Sequence, residues 1–170
     1  MKIQELNQPD DWKEKFLAFA ADPKGFMLLA GKNGTGKTTA TEAIYDQARI
    51  RLTNPQDDEK MFFTQVDLFM RWTKEMKQWG ETTYFCERLC NCRLLVLDDL
   101  GTRSPSEAYK DFIYAIIEKR ERNKDDVGTI LTTNLNSAQM REMFGDAIVS
   151  RVASGQVFRF EGKDRRFKDF

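Results

Sequence analysis

Between an apolar run, Phe26 to Leu29, and a stretch that can wind as a helix, the chain reads AGKNGTGKTT, Ala30 to Thr39. Gly31, four further residues, then Gly36, Lys37 and Thr38 is the spacing of a phosphate-binding P-loop. In such a loop the backbone N–H groups turn inward to form an anion-binding nest, and the positive end of the following helix adds to it. Gly34 and Gly36 let the main chain approach oxygen atoms with no side chain in the way. The nest is expected to run over Gly31, Asn33, Gly34, Thr35, Gly36, Lys37, Thr38 and Thr39. Lys37 would reach the β- and γ-phosphates and the Thr38 hydroxyl would ligate Mg²⁺, so the expected ligand is ATP or ADP with Mg²⁺.

A second chemical signal is LLVLDDL, Leu94 to Leu100. Its apolar residues form a buried strand that delivers Asp98 and Asp99 to the carboxyl end, where ligands of open α/β sheets bind. Two adjacent carboxylates there need something positive beside them. Asp98 is expected to hold Mg²⁺ through its water shell, and Asp99 to orient or deprotonate an attacking water. The chain has no histidine, so proton transfer falls to carboxylates, Lys, Tyr, Cys or water. Cys86, Cys90 and Cys92 are too few and too crowded for a disulfide framework and lack a histidine to complete a zinc site, so they read as reduced packing residues.

The elements that position these groups follow from apolar periodicity. Strands are expected at Phe26 to Ala30, Met61 to Phe63, Leu94 to Leu97, Thr129 to Thr132 and Gln156 to Phe160. A helix after Lys37 carries Ala40, Ala43, Ile44 and Ala48 and stops at Thr53-Asn54-Pro55. Asp67 is expected to cap a helix presenting Leu68, Phe69, Trp72, Met76 and Trp79, ended by Gly80 and followed by a helix from about Glu81 to Cys90. Ala108, Phe112, Ala115, Ile116 and Lys119 mark another helix, which runs out in the charged stretch Glu118 to Asp126, read as a solvated helix end. Ser137 is expected to cap a short helix toward Phe144, and a helical turn carries Ile148 to Val152. Strands alternating with helices imply an α/β sandwich, a parallel sheet with helices on both faces.

With 170 residues the chain suits one domain. Residues 1–24 form a lead-in, 25–160 the core and 161–170 a C-terminal segment. Lys plus Arg and Asp plus Glu balance at 27 each, so nucleic-acid contact must come from a local patch. The N-terminus lacks the apolar core of a signal peptide, and no run approaches the roughly eighteen apolar residues of a membrane span. A cytoplasmic protein without membrane contact is expected.

AGKNGTGKT, LLVLDDLGT, ILTTNL, FGDAIVSRV and GKDRR, in this order and spacing, resemble the AAA+ ATPases of the bacterial replicative-helicase loader group, of DnaC and DnaI type, and the related IstB-type transposition helpers. The resemblance spans about residues 12 to 168. It implies a P-loop AAA+ fold, a three-layer αβα sandwich around a five-stranded parallel sheet with little or no lid. It also implies that Asn134 is a polar sensor of the γ-phosphate or attacking water, that Arg151 is an arginine finger reaching a neighbour's nucleotide, and that Arg166 is a second sensor on its own nucleotide. With Asp99 and Lys37, Asn134 and Arg151 would make the catalytic set. An arginine common four residues before the finger is here Ala147, and the often acidic residue after DDLGT is Arg103. Only about 25 residues precede the first strand, so an N-terminal partner-binding module is expected to be absent.

In this clade a helical insert between the second and third strands touches single-stranded DNA. Here Arg71, Lys74 and Lys77 fall at helical spacing away from the Trp72 face and could form a basic stripe. A second basic cluster holds Arg159, Lys163, Arg165, Arg166 and Lys168. The expected function is a Mg-ATP-hydrolysing ATPase that forms homo-oligomers on single-stranded DNA and helps load a replicative ring helicase. A transposase-guiding ATPase on duplex DNA and a nucleotide-switched interaction module with little turnover are the alternatives. A small-molecule kinase has no use for TTNL and SR.

Overall fold

Near-continuous apolar runs become strands buried on both faces, as a parallel sheet covered by helices requires. The computed structural model describes residues 1–50, 60–79 and 83–162. A 3-10 turn, Ile3–Glu5, precedes α1, Asp10–Ala21, and β1, Gly25–Gly31, leads through the glycine loop into α2, Lys37–Gln47. Then come β2, Lys60–Thr64; α3, Gln65–Trp79; α4, Thr83–Asn91; and β3, Leu94–Leu100. The chain continues with α5, Glu107–Arg122; β4, Gly128–Thr133; α6, Ser137–Phe144; α7, Asp146–Ala153; and β5, Gln156–Phe160.

The five strands pair in the order β2-β3-β4-β1-β5, all parallel. Alternation along each strand feeds two cores. Met27, Leu29, Leu94, Val96 and Ile130 face the layer of α1 and α2, with Phe16, Phe19, Ala40 and Ile44. Phe26, Leu95, Leu97 and Leu131 face the opposite layer, with Leu68, Phe85, Phe112, Ile116 and Ile148. Because β4 lies between β1 and β3, and Thr133 pairs with both Ala30 and Leu100, the glycine loop, the acidic pair and Asn134 emerge side by side at the carboxyl ends of the three central strands.

Several boundaries differ from the sequence expectation. Helix α2 ends at Gln47, with Ala48 already extended, and Thr53 to Pro55 lie outside the described residues. Thr64, not Asp67, caps α3. Its hydroxyl accepts the Asp67 N–H at 3.1 Å and donates to the Asp67 carboxylate at 2.7 Å. Two residues that can each cap stand three apart, and β2 running straight into α3 gives the cap to the earlier one. Asn136, not Ser137, caps α6 through a reciprocal pair with Gln139, each bond 2.9 Å. Gly80 and residues 81 and 82 lie outside the described residues.

The charged stretch at the end of α5 is not wholly solvated, because Arg120 is fully buried. Its guanidinium donates to the carbonyls of Leu89 at 2.7 Å, Cys90 at 3.2 Å and Cys92 at 2.9 Å, where α4 leaves C-terminal carbonyls without helical partners. It also donates to Thr129 Oγ1 at 2.7 Å and to the Gly128 carbonyl at 2.5 Å, tying α4 to the start of β4. The apolar face of α3 is divided. Leu68 is buried and Trp72 packs on Tyr109 and Phe112, whereas Phe69 and Met76 stay 42% and 41% exposed. The Trp79 side chain lies outside the described residues. Cys90 and Cys92 are buried, Cys86 is half-buried, and all three are free thiols.

Candidate nucleotide site

The loop from β1 to α2 has the backbone that its glycines permit. Gly36 stands in the left-handed region at φ 97° as the residue before α2, a conformation costly for any residue with a Cβ. A Cβ on Gly31 would lie 2.1 Å from the Phe160 carbonyl oxygen, so only glycine lets β5 approach β1 there. Thr35, buried, donates from Oγ1 to the Lys32 carbonyl at 2.8 Å and closes the loop on itself. Asn33, Gly34, Gly36, Lys37, Thr38, Thr39 and Asp99 line a cleft of about 310 Å³.

Lys37 is only 5% exposed. Its ammonium donates to the carbonyls of Gly31 and Lys32, both at 2.8 Å, and to Asn134 Oδ1 at 2.6 Å. Asn134 reaches this place because β4 ends beside β1. Asn136, not Asn134, caps the next helix, so the Asn134 side chain is turned to the P-loop lysine.

Asp98 is buried, and its carboxylate accepts from Thr132 Oγ1 at 2.5 Å and from Thr38 Oγ1 at 3.1 Å. Burial pushes its pKa up and the nearby Asp99 charge adds to this, while the hydrogen bonds from Thr132 and Thr38 and the Lys37 charge oppose it. At Asp99 the register of β3 against β4 shifts between Leu97 and Leu100, and the residue adopts φ 56°. Asp tolerates the left-handed region better than most residues, and this bulge aims Asp99 at the cleft instead of back into the sheet. Thr132 Oγ1 accepts the Asp99 N–H at 2.9 Å while donating to Asp98, so one hydroxyl holds both acidic residues.

This donor set fits a magnesium nucleotide. A glycine loop at the start of α2 and a buried ammonium suit an anion, and the Thr38 hydroxyl beside the Asp98 carboxylate supplies adjacent hard oxygens for a cation. Among the described residues no cluster of three or more His, Cys, Asp or Glu side chains could hold a metal by itself. No described helix is long and apolar enough to cross a membrane.

Arg151 is not among the residues lining the cleft. It lies on α7 against α5, donating from Nη1 to the Ala147 carbonyl at 2.9 Å and from Nη2 to the Tyr114 hydroxyl at 3.4 Å. Arg166 lies outside the described residues, as do Lys163, Arg165 and Lys168; Arg159 is exposed on β5. On α3, Arg71 pairs with Glu75 at 2.7 Å and covers the Phe85 ring at 5.6 Å, whereas Lys74 and Lys77 line a shallow groove with Phe69, Met70 and Thr73.

Sequence reasoning passed over three contributors. Thr132 lies within ILTTNL, so that motif carried a signal for it. Gln65, buried at the start of α3, accepts the N–H groups of Gly101 at 2.7 Å and Thr102 at 3.1 Å and donates to the Arg103 carbonyl at 2.8 Å, fixing the loop after the acidic pair. Nothing in the local sequence marks it. The lead-in residues Glu5, Leu6, Asn7 and Gln8 wall the cleft opposite the P-loop, a contact that spacing cannot reveal.

Comparison with known proteins bears on the family and the fold. The family model of IstB-like ATP binding proteins matches residues 14–154. The replicative helicase loader DnaC of Escherichia coli K12 is 26% identical over 130 residues, which are 76% of this chain and 50% of that protein. The chain thus spans about half the length of the curated relatives it matches. A crystal structure of the DnaC helicase loader has a TM-score of 0.72 at 26% identity, covering 94% of this chain and 96% of that one. A structure of the replication initiator DnaA bound to AMPPCP and single-stranded DNA has a TM-score of 0.77 over 95% of this chain and 50% of that one. Its identity is 17%, which speaks for the fold alone. The architecture is that of the AAA+ P-loop ATPases.

Proposed function

The chain belongs to the IstB-like ATP-binding proteins, and on that premise we propose that it binds and slowly hydrolyses ATP with Mg²⁺, assembles with copies of itself on single-stranded DNA, and helps place a replicative ring helicase. The observation that carries the reading is the convergence of Lys37, Asn134, Thr38 and Asp98 at the carboxyl ends of the central strands. A plain anion site needs no sensor amide on the lysine and no paired carboxylates.

In this reading the loop amides and Lys37 hold the phosphates and meet the charge that develops on them. Thr38 and Asp98 would hold Mg²⁺, which would supply polarisation of the terminal phosphate. Asp99, held by Thr132 at the bulge, orients the attacking water and takes its proton, and Asn134 moves from Lys37 to the γ-phosphate or that water. Arg151 supplies its charge to a neighbour's site, and Arg166 senses the nucleotide of its own subunit. Residues 1–170 act as one AAA+ domain in the cytoplasm.

Support for the helicase partner comes from the DnaC similarity, and for single-stranded DNA from the shared fold with the DnaA complex. The family match favours a second reading, a helper of transposition acting on duplex DNA with a transposase as partner. Turnover measured with protein alone, with single-stranded DNA and with duplex DNA separates them. Stimulation by single strands is expected. Stimulation by duplex alone transfers the assignment to the transposition helper, and tight ATP binding with no turnover in any arm makes the protein a nucleotide switch.

A further inference from the structure

The Arg151 guanidinium does not lie in an ion pair: none of those formed among the described residues includes it. It rests instead on an aromatic face, with its Cζ 5.2 Å from the centroid of the Tyr114 ring and its Nη2 3.4 Å from the Tyr114 hydroxyl. Tyr114 is carried by α5, and Arg151 by α7, which packs on α5. Nη1 is bonded to the carbonyl of Ala147, one turn back on α7. Two contacts from different elements therefore bracket the guanidinium.

We propose that Tyr114 is a positioning residue for Arg151, holding its guanidinium in one place against α5 so that it is ready to meet the transferring phosphate of an adjoining subunit. The proposal rests on the reading of Arg151 as the arginine that acts in trans. An arginine side chain carries large rotamer entropy, and a long side chain free to swing would lose it on reaching a transition state. A ring face restrains the planar group without neutralising it, which a carboxylate partner would do. Of five guanidinium N–H donors, the two contacts take one each, leaving the others for phosphate oxygens. Ala147, which has no side chain able to reach outward, contributes only its carbonyl, so the brace has to come from α5.

The test compares Tyr114→Phe, which keeps the ring face, with Tyr114→Leu, which fills space without one. ATP binding by calorimetry reports folding, and Tyr114→Gln replaces the leucine variant if that one does not fold. For Tyr114→Leu, kcat is expected to fall about tenfold with KM for ATP unchanged, because only a transition-state contact has lost its orientation. Tyr114→Phe should remain within about twofold of the parent. Added to Arg151→Ala, the Tyr114→Leu change should lower turnover no further, since its whole effect passes through the arginine. A full further loss in that double variant, a phenylalanine variant as impaired as the leucine one, or a leucine variant at or above the parent rate overturns the brace. Those outcomes with Arg151→Ala reduced to a low but measurable turnover leave the trans-acting arginine standing. Arg151→Ala at parent turnover removes both.

Discussion

Lys37 Nζ donates to Asn134 Oδ1 across 2.6 Å, though the two residues stand 97 positions apart in the chain. Parallel pairing of β1 with β4 sets this contact, since Asn134 directly follows β4 and the glycine loop carries Lys37, the first residue of α2, back over the end of β1. An amide oxygen thus occupies an acceptor position on the lysine; in the proposed reading a phosphate oxygen takes that position and the amide turns toward the γ-phosphate.

Exchange of that kind predicts distinct failures. Lys37→Ala should abolish ATP binding in calorimetry, because it removes the charge from the nest. Asn134→Ala should bind ATP nearly as the parent does yet lose turnover by roughly 10²-fold, the scale of one transition-state donor. Asp99→Asn should also bind and not hydrolyse. A Lys37→Ala protein with parent affinity would remove the P-loop assignment.

Mixing two proteins that each turn over little or not at all tests where Arg151 acts. Arg151→Ala keeps an intact pocket and Asp99→Asn an intact arginine, so a mixed interface contains one complete site. Partial recovery of turnover is expected, with activity per subunit rising with protein concentration. Absence of recovery in mixtures shown by cross-linking to contain both variants would confine Arg151 to its own subunit.

Burial raises the pKa of Asp98 above its unfolded value, so the folded chain holds this proton more tightly than the unfolded chain does. Stability then falls as pH rises between the unfolded and folded values, and the full penalty is present above the folded one. Nucleotide-free Asp98→Asn is therefore expected to melt at a higher temperature than the parent at pH 7, with the difference closing below about pH 4 as the unfolded carboxylate also protonates. Thermal melts across that range check the sign.

Removal of Arg120 should destabilise the domain without touching the cleft. Arg120→Met leaves the carbonyls at the end of α4 and of Gly128 without their donor in a site closed to water, a loss of roughly 3–5 kcal/mol. Denaturant unfolding measures it, and a loss under 1 kcal/mol would show that these carbonyls find other partners.

The contrast between Arg120 and the strands shows what the sequence could convey. The strand cores were legible because a buried parallel strand needs an unbroken apolar run, and each run has one meaning. The loop and the acidic pair were legible because phosphate chemistry fixes their spacing. Arg120 stands between Lys119 and Glu121, and only the approach of α4 makes its place an interior one. Thr64 and Asn136 were hidden by nearby residues, Asp67 and Ser137, equally able to cap, and the bulge at Asp99 has no local signature. Gln65 is functional through a loop 36 positions on.

For the basic stripe, the Glu75 pair and Phe85 stacking already engage Arg71. Lys74 and Lys77 are then the two free to follow a backbone. Replacing both should lower the log-log salt slope of single-strand binding by about 1.4, at about 0.7 per lost contact, while Arg71→Ala should change the slope little. An unaltered slope in the double variant would return α3 to a solvated face.

Residues Glu5 to Gln8 wall the cleft, and Met1 itself reaches its rim. Whatever polypeptide or label is joined ahead of Met1 therefore issues at the doorway of the nucleotide. An environment-sensitive fluorophore attached there would change brightness as the cleft fills and empties, giving an optical readout of occupancy in a single assembling subunit. A bulky affinity tag at the same end would obstruct the very exchange it was added to help measure.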